Sequence, residues 1–296
     1  MLKHVQLLIS LFCFVACMSQ PGKNTHKKVV FIPGTNSHDV GEHEYLGGCQ
    51  LLSKLLDEYG KDIKTVITEQ GWPADTTILN DADAILIFSD GGGRHPALNH
   101  LDHLNRLMKK GTGLVLIHYS VELPKETGGN YFLDWAGGYF ETNYSVNPFW
   151  KPEIKTLPPH PVTNGVKPFI LNDEWYYHMR FVPGMKNITP VLTALPPAST
   201  LDRPDGSHSN NAAVRRDVLE KKMPQVIAWA YTRNGGGRSF GFTGGHIHNN
   251  WMQNDYRKLL LNAIAWTAKA NIPPNGIDTP APSQQEMDAL RKKPAR

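Results

Sequence analysis

Between residues 28 and 118, short continuous apolar runs alternate with stripes of helical period, and this alternation limits the fold more than any other feature. Lys28-Val29-Val30-Phe31-Ile32 ends at Pro33-Gly34, and Ala84-Ile85-Leu86-Ile87-Phe88 and Gly113-Leu114-Val115-Leu116-Ile117 read the same way. A strand with no polar alternation is buried on both faces, which is the habit of a parallel sheet covered by helices. Between the runs, Leu51, Leu52, Leu55, Leu56 and Tyr59 recur at helical spacing before Gly60, and Leu98, Leu101, Leu104, Leu107 and Met108 do so before Gly111. Ile63 to Thr68 supplies a further strand, with a missing or short helix near Trp72 to Leu79. The order βαββαβ predicts an α/β fold with a doubly wound, mostly parallel sheet and helices on both faces.

The pattern returns near the C-terminus. Gln225 to Ala230 and Arg238 to Phe242 are two strands around the turn Asn234-Gly235-Gly236-Gly237, followed by a helix with Tyr256, Leu259, Leu260, Ala263, Ile264 and Thr267 on one face. Asn254 is the expected cap of that helix. Residues 119–220 are aromatic and rich in Gly and Pro; they are expected to form an irregular insertion walling the site, with short added strands such as Pro190 to Leu195. Residues 271–296 read as a loose polar tail.

Composition narrows the function classes. Lys plus Arg is 31 against 27 for Asp plus Glu, a net charge of +4 spread without a basic stripe, so nucleic acid is not an expected partner. With 40% hydrophobic and 20% charged residues the chain is globular rather than disordered. Residues 1–17, MLKHVQLLISLFCFVAC, read as a secretory signal: Lys3 is the positive end, and the apolar stretch is too short to span a bilayer. Phe14-Val15-Ala16-Cys17 resembles a bacterial lipobox, with an ordinary cleavage near Ala16 to Ser19 as the alternative. The protein is therefore expected outside the cytoplasm, periplasmic or membrane-anchored through lipid on Cys17, with residues 18–27 as a tether. Of the 3 cysteines, Cys49 is left in the body, where it reads as a packed hydrophobe.

In an open parallel sheet ligands bind beyond the carboxyl ends of the strands. The segment after the first strand carries His38, Glu42, His43 and Glu44; the third delivers Asp90-Gly91-Gly92-Gly93-Arg94, the fourth His118, and the last Gly244-Gly245-His246-Ile247-His248. Four strand ends thus bring a histidine or an acid to one rim, which favours a site there. The glycine run, before a helix expected near Pro96, is either an anion cradle completed by Arg94 or a tight turn. Asp90 could hold sugar hydroxyls, cap that helix or act as a base. His246 and His248 alternate, so they could clamp a metal or a substrate; His248 could equally bond its own Asn249-Asn250 loop. His38 and His43 are candidate metal ligands.

These pieces together resemble the ThuA-like (trehalose utilisation) family of the class I glutamine amidotransferase-like superfamily. The resemblance covers roughly residues 28–270 and rests on Ser37-His38 with Gly41-Glu42-His43, Gly111 to His118, His160-Pro161-Val162-Thr163-Asn164-Gly165-Val166, Asp173-Glu174-Trp175-Tyr176-Tyr177 and Gly237 to His246. It implies a flavodoxin-like fold. It also implies that His118 stands where true amidotransferases carry their strained Cys nucleophile, so thiolate hydrolysis of glutamine is excluded. The family name implies disaccharide utilisation, with a sugar oxidoreductase in the same pathway.

On this reading the chain is an exported carbohydrate-processing enzyme, a hydrolase or lyase of a disaccharide, glycoside or oxidised (keto) sugar. The alternative is a non-catalytic sugar-binding or assembly module. His118 and His246 are the expected acid–base groups, because imidazole titrates near neutral pH. Glu174 is expected to orient an imidazole or hold a hydroxyl, and Trp175, Tyr176, Tyr177, Trp135 and Trp150 to stack on sugar or pack the wall. A divalent metal on imidazoles from three loops, with Glu44 or Glu174 nearby and water in the open position, would replace the missing nucleophile.

Overall fold

The computed structural model describes residues 26–292. The export segment and Cys17 lie outside the described residues. The central sheet has seven strands: β1 (Lys27–Pro33), β2 (Ile63–Ile67), β3 (Ala84–Phe88), β4 (Gly113–Ile117), β5 (Ile188–Ala194), β6 (Gln225–Thr232) and β7 (Arg238–Phe242). Their order is β5-β6-β7-β4-β3-β1-β2. The β2, β1, β3, β4 and β7 pairings are parallel, and β6 and β5 add antiparallel at one edge. This is the doubly wound α/β class that the strand pattern predicts.

The continuous apolar runs have the expected cause. In β1, Val29 and Phe31 face one core, and Val30 and Ile32 face another on the opposite side of the sheet. The first core is completed by α1 (Tyr45–Tyr59) and by a helix at Asn254–Thr267. The second is completed by α2 (Leu101–Lys110) and α3 (Asn130–Ala136). Side chains alternate across a strand, so a strand sandwiched between two helix layers must be apolar at every position. The C-terminal strand-end loops of β1, β3, β4 and β7 then share one rim.

Several local expectations are corrected. The helix expected near Pro96 begins as a 3₁₀ turn at Leu98–His100 that runs into the α-helix. The glycine run forms a short 3₁₀ turn at Gly92–Arg94, and α2 starts at Leu101. The Gly92 N–H donates to Glu122 O, and a Cβ on Gly91 would lie 2.2 Å from Tyr119 O. The glycines thus let the loop after β3 press against the turn after β4; they form a tight turn rather than an anion cradle. The last long helix, α4 (Asn254–Thr267), is capped by Gln253, whose side chain accepts from Tyr256 N, and not by Asn254. As far as Lys292 the C-terminal segment is not loose. It carries α5 (Gln284–Ala289), started by a Ser283/Glu286 capping box and anchored by the buried Met287. Lys292 then reaches back to the loop after β1, its Nζ donating to the Ser37 and His38 carbonyls.

The stretch between β4 and β5 is built from α3 and three two-stranded antiparallel ribbons. Gly138–Tyr139 pairs with Arg180–Phe181, Phe149–Trp150 with Asp173–Glu174, and Glu153–Ile154 with Phe169–Ile170. These pairings are too short to leave a period in the sequence. Pro190 to Leu195, read as an added strand, falls on the edge strand β5.

Candidate active site

The loop after β1 turns sharply, with His38 and His43 both at positive φ (66° and 48°). It is tied to the loop after β7: His43 N donates to His246 O at 3.1 Å, and His248 N donates to Gly41 O at 2.9 Å. His118 follows β4 directly, is fully buried, and also holds positive φ (56°). A non-glycine residue in this region is strained and persists only where its surroundings fix it. Here Ser120 fixes the turn, its Oγ accepting from Ile117 N and lying 2.8 Å from Ile87 O.

Three imidazoles meet at the rim. His43 Nε2 is 3.0 Å from His118 Nε2 and 3.0 Å from His246 Nδ1; the last two nitrogens are 3.3 Å apart. Glu174 Oε2 lies 3.4 Å from His118 Nε2 and 3.1 Å from His246 Nδ1. The Phe149–Trp150/Asp173–Glu174 ribbon explains how a loop residue reaches this point. Cross-strand partners share a face, so Phe149 and Glu174 face the cleft. One residue along, Trp150 and Asp173 turn inward. Asp173 is fully buried and clamps the β7 loop, accepting from Gly245 N (2.8 Å), Ile247 N (3.2 Å) and Tyr256 OH (2.8 Å).

Proton positions follow from the partners. His118 Nδ1 is 2.9 Å from Thr243 O, and a carbonyl only accepts, so Nδ1 carries a proton and Nε2 of the neutral imidazole enters the cluster as a lone pair. The Ser37 and Tyr45 hydroxyls both donate to Asp90 Oδ1 (2.7 and 2.6 Å). Each has one hydrogen, so each accepts from His43 Nδ1 at 2.9 and 2.7 Å, and Nε2 of the neutral His43 ring is a lone pair too. His246 Nε2 faces Glu42 Oε2 at 3.4 Å.

The electrostatics divide the cluster: His43 and Glu174 resist protonation, while His246 favours it. Burial, with His118 and His246 adding to it against the Asp90 hydrogen bond, drives His43 down to about 3. Burial would raise Glu174, but the bonds to His118 and His246 win and hold it down at about 2. His246 moves up: the Glu174 bond overcomes its burial. Asp90 falls below the ordinary carboxylate range because His43, Tyr45, Ser37 and Arg94 outweigh burial.

Beside the cluster, reached by His43 and Glu174, is a cavity of about 230 Å³ whose wall also includes Arg94, Tyr119, Tyr176 and His208. A second cavity of about 360 Å³, with Phe149, Thr200 and Arg203 in its wall, shares Asn147 and Glu174 with it. Tyr176 OH is 3.1 Å from His118 Nε2 and 3.3 Å from Glu174 Oε2. His208 Nε2 is 3.0 Å from Glu122 Oε2, and that bond raises the His208 pKa above its ordinary 6.5 despite burial.

Of the residues expected at the site, His43, His118, His246, Glu174 and Tyr176 are brought together. Asp90 is a buried carboxylate that orients His43, and it pairs with Arg94 at 3.0 Å. His38 sits at the exposed rim, its ring 3.8 Å from that of His43. Two expected substrate contacts are corrected. His248 turns away to Met287 O at 3.2 Å, because α5 docks there. Trp175 is fully buried against Phe242 and Tyr256, with its Nε1 donating to Leu171 O. Trp135, Trp150 and Tyr177 likewise pack in the cores. Glu44 folds its own loop by accepting from Gly41 N and Lys292 N, so it is no ligand. Cys49 is buried, and burial pushes its thiol up. Sequence reasoning missed Asp173 as a clamp, and it missed Tyr119, Phe149, His208 and Glu122. His208 had one readable signal, a histidine in the polar run Ser207-His208-Ser209-Asn210.

The family model described as "ThuA: Trehalose utilisation" matches residues 28–267. The chain belongs to the ThuA family. Two solved structures share the fold. A ThuA-like protein from Bacteroides uniformis is 17% identical, with TM-score 0.54, over 85% of this chain and 95% of its own. One from Parabacteroides merdae is 16% identical, with TM-score 0.53, over 88% and 99%. Among curated proteins none matches. Membership of a family linked to trehalose utilisation supports a carbohydrate-related role for this ThuA-family chain.

Proposed function

We propose that this ThuA-family protein is an exported carbohydrate-processing enzyme that cleaves a disaccharide, glycoside or keto-sugar derivative, as a hydrolase or lyase. One observation carries the reading: His43 and Glu174, backed by the buried His118 and His246, border a cavity whose wall also holds the proton donors Tyr119, Tyr176 and His208. Water is the nucleophile for hydrolysis, because the thiol position is His118. Its proton is drawn to the cluster, at His118, His246 or Glu174. The leaving sugar oxygen takes a proton from His208, which Glu122 keeps protonated toward neutral pH. Arg94 and Tyr119 hold hydroxyls. A keto-sugar substrate would come from an oxidoreductase acting earlier on the same glycoside.

Turnover of a panel of glycosides and 3-keto-glycosides tests this. His118→Ala is expected to lower kcat about 10²–10⁴-fold on the true substrate. Wild type and variant behaving alike on every compound would remove His118 from the chemistry; no product from wild type, with sugar affinity unchanged in the His118/His246 double variant, would instead make the protein a binding module. The export part of the proposal rests on residues 1–17 and is read by mass: a diacylglyceryl group on Cys17 of the membrane fraction supports it.

A further inference from the structure

The cluster holds more lone pairs than its protons can satisfy. With both rings neutral and their Nδ1 atoms protonated, His43 Nε2 and His118 Nε2 face each other as lone pairs 3.0 Å apart. The His246 tautomer with its proton on Nδ1 serves Glu174 and His43, and Tyr176 OH can serve His118, yet no proton then lies between the first two. Two lone pairs pressed together in a buried site repel unless a positive charge sits between them.

The distances state what kind of charge fits. Nitrogen and oxygen ligands at about 2.0–2.1 Å around a tetrahedral ion lie about 3.3–3.4 Å from one another. The five measured separations among His43 Nε2, His118 Nε2, His246 Nδ1 and Glu174 Oε2 run from 3.0 to 3.4 Å. The outward nitrogens are also placed as metal-ligating histidines place theirs, each against an oxygen acceptor that fixes the tautomer. His118 has Thr243 O; His43 has Ser37 and Tyr45, backed by Asp90; His246 has Glu42. Glu174 is held from behind by Asn147, whose Nδ2 donates to Oε1 at 3.0 Å.

The geometry points to a divalent transition-metal centre held by His43, His118, His246 and Glu174, with Asp90 as the positioning carboxylate behind His43. Three imidazoles and one carboxylate suit zinc and its first-row neighbours better than magnesium or calcium. His43 and Glu174 adjoin the cavity bounded by Arg94, Tyr119 and Tyr176, the side from which a water or a sugar oxygen would approach the ion. The centre deepens the proposed function by giving the nucleophilic water a site, but metal binding itself requires no substrate.

The test uses the full chain, prepared without a metal-affinity tag, stripped with chelator and titrated with Zn²⁺ and Co²⁺ by calorimetry and visible absorption. About one equivalent is expected, with the intense visible bands of low-symmetry cobalt. His118→Ala and Glu174→Gln should abolish or strongly weaken binding. Asp90→Asn should weaken it about 10–100-fold, and His38→Ala should leave it unchanged. Circular dichroism separates lost binding from lost folding, and Glu174→Gln, being isosteric, keeps the test valid if His118→Ala unfolds. Binding of less than roughly a tenth of an equivalent by folded wild type at metal excess, or full binding by Glu174→Gln and His118→Ala alike, overturns the centre. The two proposals fail separately. Sugar turnover indifferent to chelator would remove the metal and keep the enzyme. Stoichiometric metal with no turnover on any sugar would keep the metal and remove the enzyme.

Discussion

The sheet and the ribbon segment that follows β4 meet at one site but are held by different forces. In the sheet, Leu86, Val115 and Phe240 are fully buried between helix layers, and side-chain volume decides stability. In the ribbons, short backbone pairings are pinned by buried polar groups: Asp173 clamps the β7 loop, and Ser145 Oγ bonds Glu141 N and His178 O. The sheet supplies three imidazoles on strand ends that cannot move far. The ribbons bring Glu174, Tyr176 and, through a later loop, His208 over them. A site made this way separates rigidity from specificity, so damage to the two regions should show in different measurements.

The largest stability effect belongs to the sheet. Leu86→Ala should cost about 2–5 kcal/mol, read by denaturant unfolding, with the folded protein keeping its kcat. An equal fall in kcat at full occupancy of the native state would show that the sheet does more than support the site. Asp173→Asn should cost less, about 1–3 kcal/mol for buried partners left imperfectly paired, but it should also displace His246 and reduce activity beyond the loss of folded protein. Activity unchanged in folded Asp173→Asn would mean that the clamp is structural only.

A smaller, pH-dependent effect belongs to His208. Its folded pKa is raised above 6.5 by Glu122. Its contribution to stability is therefore complete below the unfolded value and fades as pH rises through the folded one. Wild type should lose Tm relative to His208→Gln as pH climbs above 6.5 into that window, and the alkaline limb of kcat should vanish in the variant. Parallel Tm curves for the two proteins would break the assignment. The smallest effect is at Phe149, which is 51% exposed and sits edge-on to His246 with ring centroids 4.8 Å apart. Phe149→Ala should leave stability within about 0.5 kcal/mol and raise KM with little change in kcat. A change in kcat alone would move Phe149 from substrate platform to the chemistry.

Much of the sheet was legible because burial on two faces writes itself into every residue of β1, β3 and β4. The strand-end histidines His43, His118 and His246 were legible for the related reason that the C-terminal rim of a parallel sheet gathers whatever follows each strand. The C-terminal arm misled because its few buried positions, Met287 above all, are scattered among charges. Trp175 misled because an aromatic run says nothing about which ring turns inward; only the pairing of Phe149–Trp150 with Asp173–Glu174 decides it.

The sequence by itself determined the layered α/β architecture and the set of strand ends that carry the imidazoles, since these follow from local pattern and connection order. The tertiary structure decided which nitrogens face one another, that Glu174 joins them, that His248 leaves for Met287, and that His208 stands opposite on Glu122. Those facts depend on contacts between residues as far apart as His43 and His246, and on which hydroxyl or carbonyl takes each ring proton. No local spacing encodes either, because a lone pair acquires its direction only when its partner has been folded into place.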